Sequence, residues 1–123
     1  MRMKAQPAAF QAAELDEMLR RARSADDGYA PAVVRSDRLS VGLYTLAAGA
    51  IDRQSPHLED EVYFAVRGRA ILSVDATDHQ VRDGSVLFVP AGADHRFHDI
   101  TEELVLLVFW APPEGTESKE VRK

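Results

Sequence analysis

Cysteine is missing from all 123 residues, so no disulfide framework, thiolate zinc site or cysteine nucleophile can be built. Aromatic residues are scarce at 7%, with a single tryptophan, and long apolar runs are absent. The longest such run, residues 104–111, falls far short of the roughly 20 residues that cross a bilayer as a helix. Positive charge is in deficit, 15 Lys and Arg against 20 Asp and Glu, and the net charge of −5 disfavours nonspecific binding to nucleic acid or an anionic membrane. There is no phosphate loop, dinucleotide glycine fingerprint or Ser-His-Asp order. The opening MRMKAQPAAFQAAELDE begins basic, but Pro7, Glu14 and Asp16 interrupt it before an apolar core can develop. A secretory leader is not expected, and the expectation is a soluble cytoplasmic protein of one domain.

The chain does contain two patterns of hydrophobic spacing, and they change over near Pro31. Over residues 8–23, Leu15, Met18, Leu19 and Ala22 fall on one helical face, with acids before bases and Asp26, Asp27 and Gly28 as an exit. This predicts one amphipathic helix with a packing role. Beyond Pro31 the period becomes 2, with Leu39, Val41 and Leu43 alternating with Ser40, Gly42 and Tyr44. Residues 62–67, 70–74, 85–89 and 104–110 also read as strands, separated by breakers at 48–49, 67–68, 75–78, 83–84 and 90–92. Many short strands at even spacing predict an all-β sandwich or barrel. The expected organisation is a helical arm at 1–34, a β-barrel at 35–113 and a mobile charged tail at 114–123. The 104–110 strand is apolar in both parities, so both its faces should be covered, one of them by the helix.

Chemistry-bearing residues concentrate in two segments. In residues 49–68 the order is Gly49, Ser55, Pro56, His57, Glu61, Gly68; in residues 84–99 it is Gly84, Pro90, Gly92, His95, Asp99. This spacing resembles the two motifs of the cupin superfamily, G(X)5HXH(X)3-4E(X)6G and G(X)5PXG(X)2H(X)3N. Gly49, His57, Glu61, Gly68, Gly84, Pro90, Gly92 and His95 stand where the pattern requires, whereas Ser55 replaces the first histidine and Asp99 the final asparagine. The resemblance implies a double-stranded β-helix, or jelly-roll barrel, carrying an N-terminal α-helix. It also implies that His57, Glu61 and His95 hold a divalent metal inside the barrel, and that Ser55 lines the pocket where a fourth ligand would stand. It further implies pairing into a homodimer, the second cover for residues 104–110.

Read without the family, two imidazoles and a carboxylate suit iron, manganese, nickel, copper or zinc and leave coordination positions open. The opposing reading, hydrogen-bonded interior histidines in a barrel without metal, stays open. Gln54 is a candidate fourth ligand through its amide oxygen. Strand parity turns Tyr63 inward with Glu61 and Phe97 inward with His95, as barrel filling or as substrate contact and pocket wall. Glu59 and Asp60 belong to an acidic run expected at the surface. His98, an odd number of residues from His95, should face the other way, and His79 should sit in an exposed turn. Two functions are compatible with these residues: a metal-dependent enzyme of dioxygenase, isomerase or decarboxylase type acting on a small organic molecule, or a non-catalytic barrel that binds a small ligand or metal. The 1–34 arm leaves little room for a helix-turn-helix domain.

Overall fold

A computed structural model describes residues 9–53 and 56–115. It comprises α1 (Leu15–Ser24) and six strands: β1 (Tyr29–Arg35), β2 (Ser40–Leu46), β3 (Asp60–Val74), β4 (Thr77–Val81), β5 (Val86–Val89) and β6 (His95–Ala111). The strands pair antiparallel in the order β1-β2-β6-β3-β4, with β5 also on β3. Alternate side chains of this rolled sheet fill a jelly-roll interior. Trp110, Tyr63, Phe97, Leu72, Leu104, Leu106 and Val108 are its largest fully buried apolar members.

The helix begins later than its periodicity predicts. Residues 9–14 run outside it, and the Gln11 side chain acts as a surrogate strand, accepting from Arg35 N at 2.8 Å and donating to Arg35 O at 2.6 Å. Within α1, Asp16 and Glu17 in the first turn and Arg21 and Arg23 in the last complement the helix dipole. Met18, Leu19 and Ala22 pack on Ala30, Leu43 and Val105, on the outside of the sheet. Arg23 adds a 2.8 Å ion pair to Glu103. The Val41/Leu43 alternation in β2 therefore points out towards the helix. Ser40, Gly42 and Tyr44 face the barrel, because Gly42 leaves room for the Tyr29 ring: a Cβ there would lie 2.5 Å from its hydroxyl.

Three expectations change. β1 lies in the stretch read as helical arm; Pro31, Ala32 at φ 51 and a register shift between Ala30 and Val34 hide its period of 2. The Arg67-Gly68 breaker bends β3 without ending it. Gly68 sits at φ 120 among register shifts, and a Cβ would lie 2.4 Å from Glu103 O, so the strand turns a barrel corner there and continues to Val74. The 75–78 turn is only Asp75 and Ala76, both at positive φ, so His79 lies exposed on β4 and not in a turn. Asp99 also has positive φ, 49, a conformation that asparagine and aspartate tolerate best among non-glycine residues. Its place in the motif is thus a backbone requirement, which aspartate meets.

Glu114 and Gly115, read as the start of a mobile tail, are instead hydrogen-bonded into the fold, Glu114 N to Ser40 Oγ at 3.0 Å and Gly115 N to Glu59 Oε2 at 2.6 Å. No helix among the described residues is long and apolar enough to cross a membrane.

Candidate metal centre

The two motif segments meet edge to edge through backbone groups and the Asp60 side chain. Gly92 N donates to His57 O at 2.6 Å, Ala91 N donates to Asp60 Oδ1 at 2.9 Å, and Glu61 pairs with Val89 across the β3–β5 ladder. On the opposite side Asp52, 5% exposed, accepts from Phe97 N at 2.9 Å and so ties the loop before the first motif to β6. Pro90 and Gly92 make the turn that starts this stitching, and His95 follows it at the head of β6.

These constraints bring His57, Glu61 and His95 together, each offering a ligand atom within 4.8 Å of the others. His95 Nε2 is 3.1 Å from Glu61 Oε1, and both side chains are essentially sealed from solvent. The Ala93 carbonyl, 3.0 Å from His95 Nδ1, can only accept, so Nδ1 carries a proton and Nε2 is the nitrogen turned to the cluster. Burial pulls the His95 pKa down, but the bond to Glu61 and then the Ala93 carbonyl outweigh it, and the net shift is upward from 6.5. Tyr63 Oη lies 3.2 Å from the same Nε2. Burial first, then the Glu61 carboxylate, raise the Tyr63 pKa well above the ordinary phenol value, so it stays a donor. Phe97 meets the Tyr63 ring edge-on at 5.0 Å, and Trp110 meets His57 edge-on at 4.5 Å.

Two buried atoms, His57 Nε2 and Glu61 Oε2, have no hydrogen-bond partner among the described residues. Such orphans carry a desolvation cost of about 1–3 kcal/mol each unless something supplies the missing contact. A cation would supply both. His57, Glu61 and His95 would hold it, and the 3.1 Å His95–Glu61 contact already turns two of the donors to the same point. The residues present fit a divalent ion of the imidazole- and carboxylate-preferring kind.

Gln54 and Ser55, the candidate fourth ligand and the substituted motif position, lie outside the described residues. Tyr63 and Phe97 are both at the cluster and fully buried. His98 is on the other face of β6, bonded to Ser73 Oγ at 2.7 Å, and His79 is remote and exposed. The acidic run divides: Asp60 is exposed as expected, but Glu59 is not a surface residue. It is 2% exposed, because the chain after β6 folds over it and Gly115 N satisfies its carboxylate. Sequence reasoning also passed over Trp110 and Asp52. The parity of Trp110 with Leu106 and Val108 was the available signal; nothing marked Asp52.

An open cavity of about 560 Å³ lies between the C-terminal end of α1 and the 47–53 loop, lined in part by Tyr44, Leu46, Ala50, Asp52 and Arg53. Tyr44, on its wall, has its pKa raised by burial first and then by the Glu114, Glu61 and Asp52 carboxylates.

Comparison with known proteins agrees with this architecture. The cupin domain family matches residues 42–111. An uncharacterized protein of Streptomyces coelicolor is 50% identical over 106 residues, 86% of this chain and 100% of its own length. Among solved structures, TT1209 from Thermus thermophilus superposes with a TM-score of 0.67 at 28% identity, covering 85% of this chain and 99% of that one. The DMSP lyase DddQ from Ruegeria pomeroyi superposes with a TM-score of 0.58 at 25% identity, covering 62% of this chain but 39% of that one. With more than half its length matched by the family and a half-identical relative of full coverage, the chain belongs to the cupin family.

Proposed function

We propose that this cupin holds one divalent cation between His57, Glu61 and His95 and is a metal-dependent enzyme, of dioxygenase, isomerase or decarboxylase type, acting on a small organic molecule. The carrying observation is the pair of orphaned buried atoms, His57 Nε2 and Glu61 Oε2, beside an imidazole whose Nε2 is already turned to them. When bound, iron, manganese, nickel, copper or zinc would supply Lewis-acid or redox chemistry according to its identity. The chain's own groups do the rest: Tyr63 presents a retained proton at the cluster, and Phe97, against the Tyr63 ring, and Trp110, against the His57 ring, wall it with apolar surface. The similarity to a lyase supports the enzyme class.

Elemental analysis of untagged protein prepared without chelator should find close to one ion per chain. Metal-free protein that also gives no heat on titration with any of the five metals would overturn the reading. Bound metal without turnover of small organic acids, polyols or aromatic diols would favour the non-catalytic binder.

A homodimer is the second proposal. Val41, Phe109, Val62 and Phe88 form one cross-strand row on the outer face, with Phe64 and Val86 beside it. Phe88 is 61% and Val86 68% exposed, where α1 does not reach. An exposed apolar strip of a few hundred Å² would form the centre of an interface of about 800 Å² per partner. Light scattering at micromolar concentration should give twice the chain mass; a monomer mass would overturn it.

A further inference from the structure

The chain after β6 does more than end the barrel. Residues 112–115 make two separate ties to the neighbourhood of His57. One is through the chain: Gly115 N donates to Glu59 Oε2 at 2.6 Å, and Glu59 is 2% exposed and two residues beyond His57. The other is through a line of side chains. Glu114 Oε1 accepts from Tyr29 Oη at 2.6 Å, Tyr29 Oη accepts from Trp110 Nε1 at 3.2 Å, and the Trp110 ring meets the His57 imidazole edge-on at 4.5 Å and 86°. Every member of this line is itself restrained. Tyr29 stacks on Tyr44 with ring centroids 4.1 Å apart and fits only because position 42 is glycine, while Glu114 N is fixed to the buried Ser40.

The imidazole of His57 needs this help. His95 has the Ala93 carbonyl to set its ring, but His57 Nε2 has no hydrogen-bond partner among the described residues, and its ring has Trp110 as its packing surface. Groups one step behind a ligand set its orientation, and losing them typically weakens metal binding 10–100-fold. We infer that residues 112–115 are a positioning strap for the metal site, with Glu114 orienting His57 through Tyr29 and Trp110 and Glu59 anchoring the same loop from below. The inference rests on the metal reading for its affinity consequence and stands without it for the orientation of His57.

Trp110 is the only tryptophan, so its emission reports directly on this line. Cobalt(II) titrated into the whole protein should quench that emission. Glu114→Ala and Tyr29→Phe should each weaken cobalt affinity about 10-fold or more, and Glu114→Gln, which keeps an acceptor for the Tyr29 proton, should recover most of the loss. In metal-free protein the His57 ring-proton resonance should be displaced by the Trp110 ring current, and should move towards its solution value in Glu114→Ala and Tyr29→Phe but not in Glu114→Gln. Circular dichroism confirms folding; if Glu114→Ala does not fold, Tyr29→Phe decides. An unmoved His57 resonance in folded Tyr29→Phe overturns the strap, as does wild-type cobalt affinity in that variant. Wild-type protein that binds no cobalt while the resonance moves as described overturns the metal reading and leaves the strap in place.

Discussion

Strand β6 carries a histidine cluster on each of its faces, and the two use nearly the same residue types. Inside are His57, Glu61, His95 and the Tyr63 hydroxyl; outside are His98, Ser73, Asp78 and Asp99. Outside, Ser73 Oγ bonds both His98 and Asp78, Asp99 lies 3.4 Å from His98 Nδ1, and the two carboxylates are exposed to solvent. Inside, the His95 and Glu61 side chains are sealed from solvent, and two buried atoms, His57 Nε2 and Glu61 Oε2, have no hydrogen-bond partner among the described residues. Similar polar groups therefore form a mutually bonded surface network in one place and a buried cluster with two unpartnered atoms in the other. Residue type did not separate them; burial with a missing partner did.

The contrast breaks most visibly through packing. Phe97 is fully buried against Tyr63, so Phe97→Ala should cost about 3–5 kcal/mol of stability, read from denaturant melts. A cost under about 1 kcal/mol would mean that the interior collapses around the gap and that the site is not rigidly supported.

Next in size is the loss of the ligands. His57→Ala and His95→Ala should each weaken metal binding by more than about 100-fold, beyond what the loss of a supporting group behind a ligand costs, while His79→Ala leaves affinity unchanged, as read by calorimetry. Equal affinity in all three variants would dissolve the distinction between the inner cluster and the rest of the chain.

Acidity sharpens the inner cluster further. His95 has its pKa raised above 6.5 in the folded state, so the stability contributed by its protonated form is fully present below 6.5 and is lost as pH rises through the raised value. Metal-free protein should thus lose part of its stability across that window, and His95→Gln should lose the pH dependence. An incoming cation must displace the same proton, so affinity should fall about tenfold per pH unit below the raised value. Flat affinity across that range would mean that His95 is not a ligand.

How far the sequence anticipates all this follows from the range of the forces involved. His57, Glu61 and His95 are legible because motif spacing on strands is local, and Tyr63 and Phe97 because parity is local. The helix was legible as an amphipathic stripe, but its start was not, since Gln11 is held by Arg35 from another element. Glu59 looked like surface because its neighbours are acidic; it is buried by a segment 56 residues away. Tyr29, Trp110 and Glu114 form one line only after the barrel closes, so no pattern of near neighbours could announce it.

The smallest effect belongs to the outer cluster. Ser73→Ala removes a half-buried hydroxyl whose partners, His98 and Asp78, can turn to solvent, so it should cost no more than about 1 kcal/mol and leave metal affinity at the wild-type value. His98 and His95 share one strand, and Ser73 pairs with Arg96 between them. If Ser73→Ala lowered metal affinity as strongly as a change at the strap, the two faces of β6 would be mechanically coupled, and the site would have to be described as a property of the whole strand and not of its inner face.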